Sequence, residues 1–150
     1  MISKNQIKYL SSLCIKKNSQ KHKKVLLEGY RLIEESIKAG ANIEHIYITE
    51  NLKSKISSQI LESIDYDIIS EIDLKKISNT KNSQGILAIA NIEKYYLHTM
   101  EQLNNSNVII LDGIQDPGNL GTIFRTCVWF GIKSIILTSN SIDPFNLKCV

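Results

Sequence analysis

The sequence is short of cysteine and has no long apolar segment. Its cysteines are odd in number and share no CxxC spacing, which argues against a disulfide framework and a zinc site; they are Cys14, Cys127 and Cys149. No stretch of about 18 apolar residues occurs, and the N-terminal MISKNQIKYLSS lacks the apolar core of a signal peptide. We therefore expect a cytoplasmic protein that has no membrane partner and binds no metal ion.

Acidic residues are absent from the beginning of the chain. The net charge is only +3, yet seven lysines precede Glu28, the first acidic residue; they are Lys4, Lys8, Lys16, Lys17, Lys21, Lys23 and Lys24. Clustered lysines suit phosphate contacts, which supply affinity without sequence specificity. A solvated surface accounts for the same cluster equally well. The charge pattern alone therefore leaves RNA contact and ordinary surface as open alternatives.

The apolar spacing of the first 92 residues alternates between strand and helix patterns. At 43% hydrophobic and 22% charged residues, the chain has the composition of a globular protein. After a helix over 5–15 and a polar basic loop over 16–24, the spacing predicts strands at 25–27, 43–49, 66–70 and 85–92 and helices at 29–40, 52–64 and 71–78. This order favours a small, mostly parallel α/β layer domain at 1–92.

A second α/β pattern follows a polar stretch. Residues 93–107 are predicted to be a linker. After it we expect a buried parallel strand at 108–111, a helix at 119–130 capped by Gly131, a strand at 134–138, and a helix start with Asp143 as N-cap. On the predicted helix one face is apolar, made of Leu120, Ile123, Phe124, Cys127 and Val128. These few elements together are too small to bury a core of their own. We therefore expect 108–150 to be the first part of a larger domain.

The stretch LDGIQDPGNLGTIFR at 111–125 joins a strand to a helix through a turn-rich loop, where α/β proteins bind ligands. Its glycines do not have the spacing of a phosphate loop or of a dinucleotide-binding loop; they are Gly113, Gly118 and Gly121. Asn119 is predicted as the N-cap of the helix, with Arg125 two turns further on. Considered one at a time, Asn119 is explained by a helix cap and Arg125 by a surface ion pair. Considered together with the rest of the string, the two residues are better explained by a functional site.

The string DGIQDPGNLGTIFRT resembles the first signature motif of the SpoU (TrmH) family of RNA ribose 2′-O-methyltransferases, within the SPOUT superfamily. The motif N-x-G-x-x-x-R is matched by Asn119, Gly121 and Arg125, and GIKSIILTSNSIDPFNLK is similar to the continuation of the family sequence. The resemblance implies that 108–150 is the first portion of a SPOUT α/β-knot domain.

A second resemblance covers the N-terminal part. HKKVLLEGYRLIEESIKAG and TKNSQGILAIAN look like the substrate-binding domain that precedes the methyltransferase domain in many members, a domain similar to ribosomal proteins that bind kinked RNA. The resemblance makes five basic residues RNA-contact candidates: Lys21, Lys23, Lys24, Arg31 and Lys81. A backbone bend explains Gly85 as well as RNA contact does. A favourable charge near a helix N-terminus likewise explains Glu28 as well as RNA contact does.

The family reaction moves a methyl group from S-adenosylmethionine to a ribose 2′-hydroxyl. The resemblance implies that Arg125 activates that hydroxyl and that Asn119 fixes the loop and the substrate end of the site. It also implies that Gly121 lets two backbone segments approach closely. Because guanidinium stays protonated, we favour electrostatic stabilisation by Arg125 over deprotonation.

The family's two later motifs, which build the knot and the cofactor pocket, do not occur before Val150. No cofactor residue is therefore assigned, and we expect these 150 residues alone to be inactive. A homodimer is implied for the complete protein, and ribosomal RNA is favoured over transfer RNA as substrate. A stand-alone RNA-binding module and an unrelated nucleotide-binding α/β protein are the alternatives.

Overall fold

The structure, a computed structural model, describes residues 2–54, 56–78, 83–95, 103 and 107–146. The chain divides into two compact units, residues 1–93 and 94–150. Most of the predicted linker over 93–107 lies outside the described residues, although Glu93–Tyr95 form a 3₁₀ turn. None of the helices in the described ranges is long and apolar enough to cross a membrane.

The first unit contains six helices and four strands among its described residues. The helices are α1 (Lys4–Ser12), α2 (Lys16–His22), α3 (Tyr30–Lys38), α4 (Glu50–Lys53), α5 (Ser58–Ser63) and α6 (Glu71–Ile77). The strands are β1 (Lys24–Glu28), β2 (Asn42–Ile48), β3 (Tyr66–Ile68) and β4 (Ile86–Asn91).

The strands form one sheet in the order β1-β4-β2-β3. β4 is antiparallel to both β1 and β2, and only β2 and β3 are parallel. The prediction of a mostly parallel sheet is therefore wrong. The continuous apolar sequence of β4 correctly indicates a central, buried strand, but it carries no information about strand direction.

One buried cluster in the core of this unit lies between the sheet and the helices α1 and α6. Its buried residues are Leu10, Leu13, Leu26, Tyr47, Ile69, Leu74, Ile77, Leu87 and Ile89. The Ser11 hydroxyl of α1 donates to the Lys76 carbonyl of α6 at 3.2 Å, which joins the two helices at their polar edge. Burial of the Tyr47 ring raises the pKa of its hydroxyl.

Two predicted segments of this unit differ from the structure. The predicted loop over 16–24 is instead helix α2 followed by the first residue of β1. The predicted single helix over 52–64 is two short helices, α4 and α5, because Ser54 ends the first and Ser57 caps the second. Ile56 is buried between them at 8% exposure, so the apolar spacing reflects burial and not one continuous helix.

The second unit contains β5 (Val108–Leu111), α7 (Pro117–Trp129) and β6 (Ser134–Leu137). β5 and β6 are parallel, with Leu111 opposite Leu137, as the sequence predicts. The prediction that β5 is fully buried is wrong, since Ile110 is 68% exposed. Of the predicted apolar face of the helix, Leu120 and Cys127 are buried, but Val128 is 77% exposed. Two strands and one helix offer too little surface to cover every apolar side chain.

The predicted helix start near Asp143 is a turn in the described residues. The Phe145 amide donates to Asp143 Oδ1 at 3.1 Å, and the Asn146 amide donates to the Asp143 carbonyl at 3.0 Å. Asp143 therefore makes a contact of the kind made by an N-cap, but no helix forms over 139–146.

Candidate functional site

The loop after β5 and the loop after β6 lie side by side at the carboxyl ends of two parallel strands. The Gly113 amide donates to Thr138 Oγ1 at 3.1 Å, and the Ile114 amide donates to Ser141 Oγ at 3.2 Å. The Ile142 amide returns a bond to the Ile114 carbonyl at 2.7 Å. Three bonds therefore fasten the loop that precedes α7 to a loop about 25 residues further along the chain.

Thr138 is the centre of this contact, and the sequence analysis missed it. Besides accepting from the Gly113 amide, its hydroxyl lies 2.8 Å from Asp112 Oδ1 and 3.2 Å from Ser141 Oγ. The hydroxyl also contacts Asn140 Oδ1. Thr138 follows an apolar strand and precedes the polar Ser-Asn-Ser, which is the only sequence signal that it belongs to a site loop.

Helix α7 begins at Pro117, with Asp116 as its N-cap. Asp116 Oδ1 accepts from the Asn119 amide at 2.7 Å. The prediction that Asn119 is the N-cap is therefore wrong, and Asn119 is the third residue of the helix. The Asp-Pro pair was a usable signal, because Pro is favoured at the first helical position and Asp directly before it.

Asn119 and Arg125 are both exposed on α7. Six residues along an α-helix correspond to a rise of about 9 Å and a rotation of about 120°. The structure thus places the two residues on one helix but does not bring their side chains into contact. A ligand that touches both has to extend along the helix, as a nucleotide with its flanking phosphates can.

Arg125 is held by a neighbour on its own helix. Its Nη2 donates to Thr122 Oγ1 at 3.2 Å, and that hydroxyl donates to the Gly118 carbonyl at 2.9 Å. Among the residues that the structure describes, no carboxylate forms an ion pair with Arg125. The surface ion pair that would explain Arg125 without a function is therefore not found among these residues.

Gly121, the third motif residue, is buried within α7. It follows Leu120, which is completely buried, so this part of the helix faces the interior of the unit. The close backbone approach expected at Gly121 stays a prediction.

The five RNA-contact candidates of the first unit are not gathered at one place. Lys23 and Lys24 stand at the start of β1, whereas Arg31 follows its end, and five strand residues span about 17 Å. Lys21 is exposed on α2 beside the start of β1. Lys81 lies outside the described residues.

Lys24 differs from the other candidates because it has an acidic partner. Its Nζ lies 2.5 Å from Glu44 Oε2, and the two side chains are 31% and 29% exposed. The hydrogen bond to Glu44 raises the pKa of Lys24. This ion pair joins β1 to β2 across β4, which gives Lys24 a structural role that is independent of RNA.

The residues around Gly29 and Gly85 shape the opposite end of β1. Gln84 Oε1 accepts from the Tyr30 amide at 3.1 Å and so caps α3, whose N-cap Gly29 has no side chain. Gly85 has φ +82°, and a Cβ there would lie 2.7 Å from Thr49 Oγ1. The backbone bend is therefore sufficient to explain Gly85. Glu28 Oε1 accepts from the Ser78 hydroxyl at 2.5 Å.

The described residues contain no cluster of three or more His, Cys, Asp or Glu side chains that could hold a metal ion. Cys14 is half-buried and Cys127 is buried, and both are free thiols. Burial raises the pKa of the Cys14 thiol, with Glu28 adding to the effect. A thiol with a raised pKa is a poor nucleophile at neutral pH, which agrees with its position at the edge of the core.

The chain is a mixed-sheet α/β unit followed by a parallel strand–loop–helix–strand unit. Residues 4–88 match the MRM3-like substrate binding domain, and residues 106–150 match the SpoU rRNA Methylase family. The chain therefore belongs to the SpoU/TrmH family of RNA methyltransferases, with an MRM3-like N-terminal domain and part of the SpoU domain.

Several relatives share this arrangement. The 23S rRNA (guanosine(2553)-2′-O)-methyltransferase RlmP of Bacillus subtilis is 31% identical over 147 residues, which are 97% of this chain and 56% of RlmP. A TrmH-family protein from Porphyromonas gingivalis has a solved structure with a TM-score of 0.80 and 30% identity, over 99% of this chain and 57% of that one. The AdoMet-bound rRNA methyltransferase from Sinorhizobium meliloti has a TM-score of 0.78 over 100% of this chain and 57% of that one. Its identity of 23% shows the fold alone. The chain thus spans just over half the length of these relatives.

Proposed function

We propose that this protein is an RNA 2′-O-methyltransferase that uses S-adenosylmethionine and acts on a ribose of ribosomal RNA. The observation that carries the proposal is the setting of Arg125, an exposed guanidinium with no acidic partner among the described residues, on a helix that follows a parallel strand end. In a chain of this family, that setting suits an anionic substrate group. The B. subtilis relative, which is named as a 23S rRNA methyltransferase, supports ribosomal RNA as the substrate.

The reaction requires that a ribose hydroxyl become a better nucleophile. The hydroxyl has to lose its proton to a general base, which leaves negative charge on the oxygen until the oxygen takes the methyl group and the bond from that group to the donor's sulfonium breaks. A guanidinium cannot take up that proton because it is already protonated. Arg125 would instead stabilise the developing charge and fix a neighbouring phosphate through paired N–H groups. Thr122 limits the positions that the Arg125 side chain can adopt.

Asn119 would contact the substrate further along the same helix. Its backbone amide is used by Asp116, which leaves the exposed side-chain amide for RNA. Gly121 would keep α7 close to the rest of the unit so that both substrate-facing residues hold their positions. In the first unit, Lys21, Lys23, Lys24, Arg31 and Lys81 stay our RNA-contact proposals, with Lys24 the weakest because of its ion pair.

The described residues do not fit S-adenosylmethionine by themselves. The polar side chains at the strand ends bond to each other or to loop amides: Asp112 to Thr138, Ser141 to the Ile114 amide, and Asp116 to the Asn119 amide. We therefore assign the cofactor site to no residue and derive no step through it. The cofactor is proposed from family membership. A homodimer and a cytoplasmic location stay predictions.

The alternative is an RNA-binding protein without catalysis. It is favoured by one observation, namely that the substrate-binding unit is matched over 4–88 while the described residues of the second unit offer no cofactor site. Transfer of labelled methyl groups from S-adenosylmethionine to ribosomal RNA by the full-length gene product separates the two functions. Binding of RNA without any methyl transfer would favour the alternative.

Arg125→Ala is the mutation that tests the proposed site. We expect it to lower methyl transfer by roughly 10²- to 10³-fold, the effect of removing one group that stabilises a developing oxyanion. The stability of the protein should change little, because Arg125 is exposed and its described bond is to a neighbour on the same helix.

Lys133→Ala is the matched control, since it removes an exposed cation from the same unit outside the site. It should leave turnover unchanged. Near-normal turnover of Arg125→Ala would contradict the proposed role, and equal losses in both variants would show a general charge effect.

A further inference from the structure

Helix α2 contributes no apolar surface to the core. Its sequence, KKNSQKH, contains no hydrophobic residue, and Ser19 is its only buried position. The Ser19 hydroxyl is itself buried without a hydrogen-bond partner in the part of the chain that the structure describes. Short helices are normally stabilised by packing an apolar face, so α2 lacks the usual reason for being a helix.

The charges of α2 also oppose its own formation. Lys16 and Lys17 occupy its first turn, where the helix dipole disfavours cations, and no acidic residue stands there. The N-cap residue Ile15 makes no side-chain cap bond and is 57% exposed. Lys17 and Lys21 are like charges at i and i+4, although Lys21 gains from its place in the last turn. Stability alone therefore does not explain this arrangement of lysines.

Helix α1 repeats the pattern on its outer side. Lys4 and Lys8 are exposed like charges at i and i+4, while Leu10 on the inner side is completely buried. Two contacts join α1 to α2: the rings of Tyr9 and His22 meet edge to face at 5.5 Å, and Asn18 Nδ2 donates to the Ser12 carbonyl at 3.2 Å. We call the exposed cations of this pair the lysine hairpin, which comprises Lys4, Lys8, Lys16, Lys17 and Lys21.

Most of these cations form no ion pair with the residues that the structure describes. The ion pairs among the described residues involve Lys24, Lys38, His45 and Lys76 on the basic side. None of them includes Lys4, Lys8, Lys17 or Lys21. The first acidic residue of the sequence is Glu28, so neither helix supplies a negative charge of its own. A polyanion that approaches this surface meets several cations that form no ion pair with a carboxylate in the described ranges.

We infer that the lysine hairpin binds the phosphate backbone of RNA. The inference rests on the proposed RNA substrate and extends it to Lys4, Lys8, Lys16 and Lys17. The surface lies at the start of β1, whereas Arg31 and the loop with Gln84 lie at its other end. The first unit therefore has two separate places for RNA, of which the hairpin recognises charge and not sequence. Phosphates would offset the repulsion and the unfavourable dipole interaction that α2 carries.

The test is the salt dependence of duplex RNA binding by this chain without S-adenosylmethionine. A labelled 20-base-pair RNA of arbitrary sequence is titrated at several salt concentrations against the wild type and Lys17→Gln/Lys21→Gln. We expect the double variant to lower the slope of log K against log salt by roughly 1 to 2 and to weaken binding several-fold at low salt. Its resistance to urea should be equal or higher, because glutamine removes the like-charge pair and keeps helix propensity.

Lys53→Gln/Lys133→Gln is the control, because it removes two positive charges elsewhere in the chain. It should change the slope less than the hairpin variant does. Equal slopes for the wild type and the hairpin variant would overturn the inference. A lower slope in the hairpin variant accompanied by a lower resistance to urea would also overturn it. A loss of binding to anionic lipid vesicles with unchanged RNA binding would also overturn it. The result does not depend on methyl transfer, so an inactive full-length enzyme would count against the proposed function and not against the hairpin.

Discussion

At the scale of single residues, helix capping and the proposed substrate contact belong to two different residues, Asp116 and Asn119. The sequence pattern predicted both roles for Asn119. Asp116 accepts the hydrogen bond at the start of α7, and Asn119 lies in the first turn with an exposed side chain. A cap stabilises a helix, whereas an exposed amide at the third position contributes little to stability. Stability and activity are therefore separable at these two positions.

We predict that Asp116→Ala lowers the free energy of unfolding by about 1 kcal/mol, because it removes the N-cap. Asn119→Ala should change the free energy of unfolding by less than about 0.5 kcal/mol, yet lower methyl transfer strongly. Urea unfolding of both variants, together with turnover of the full-length protein, measures the difference. Should Asn119→Ala destabilise the protein as much as Asp116→Ala, a structural role would replace the proposed contact with substrate.

At the scale of elements, the site depends on how two loops are joined. Thr138 accepts from the Gly113 amide and lies within hydrogen-bond distance of Asp112 Oδ1, so one hydroxyl connects the loop after β6 to the loop before α7. We predict that Thr138→Val destabilises the second unit by about 0.5–1.5 kcal/mol, because valine removes the hydrogen bond to the part-buried Gly113 amide, while water can replace the partner of the exposed Asp112 carboxylate.

Thr138→Ser is the matched control, since serine keeps the hydroxyl and loses only a methyl group. Amide hydrogen exchange at Gly113 and Ile114 reports the loop directly. Exchange should accelerate in Thr138→Val and stay close to the wild-type rate in Thr138→Ser. Unchanged exchange in both variants would mean that the backbone bond from Ile142 to Ile114 holds the loop without the hydroxyl.

The sequence predicted local structure better than tertiary pairing. β5, α7 and β6 follow from apolar spacing, and the parallel pairing of the two strands follows from the helix between them. The direction of β4 did not follow, because an apolar run suits either orientation in a sheet. Helix α2 has no apolar periodicity, so no pattern could reveal it. Thr138 acquires its role from residues about 25 positions away, which spacing within a segment cannot show.

At the scale of the whole molecule, the two units have different tasks in the proposed function. The first unit matches a substrate-binding domain and carries the lysine hairpin, and the second carries Asn119 and Arg125. This division separates affinity for RNA from chemistry on its ribose. Changes to the lysines should therefore act on binding, while changes to Arg125 should act on turnover.

A map of ribose 2′-O-methylation in ribosomal RNA, measured with and without the gene, decides whether this protein is the proposed methyltransferase. We predict that deletion removes methylation at a specific ribose, that the wild-type gene restores it, and that the Arg125→Ala gene does not. An unchanged methylation map after deletion, or full restoration by Arg125→Ala, would contradict the account.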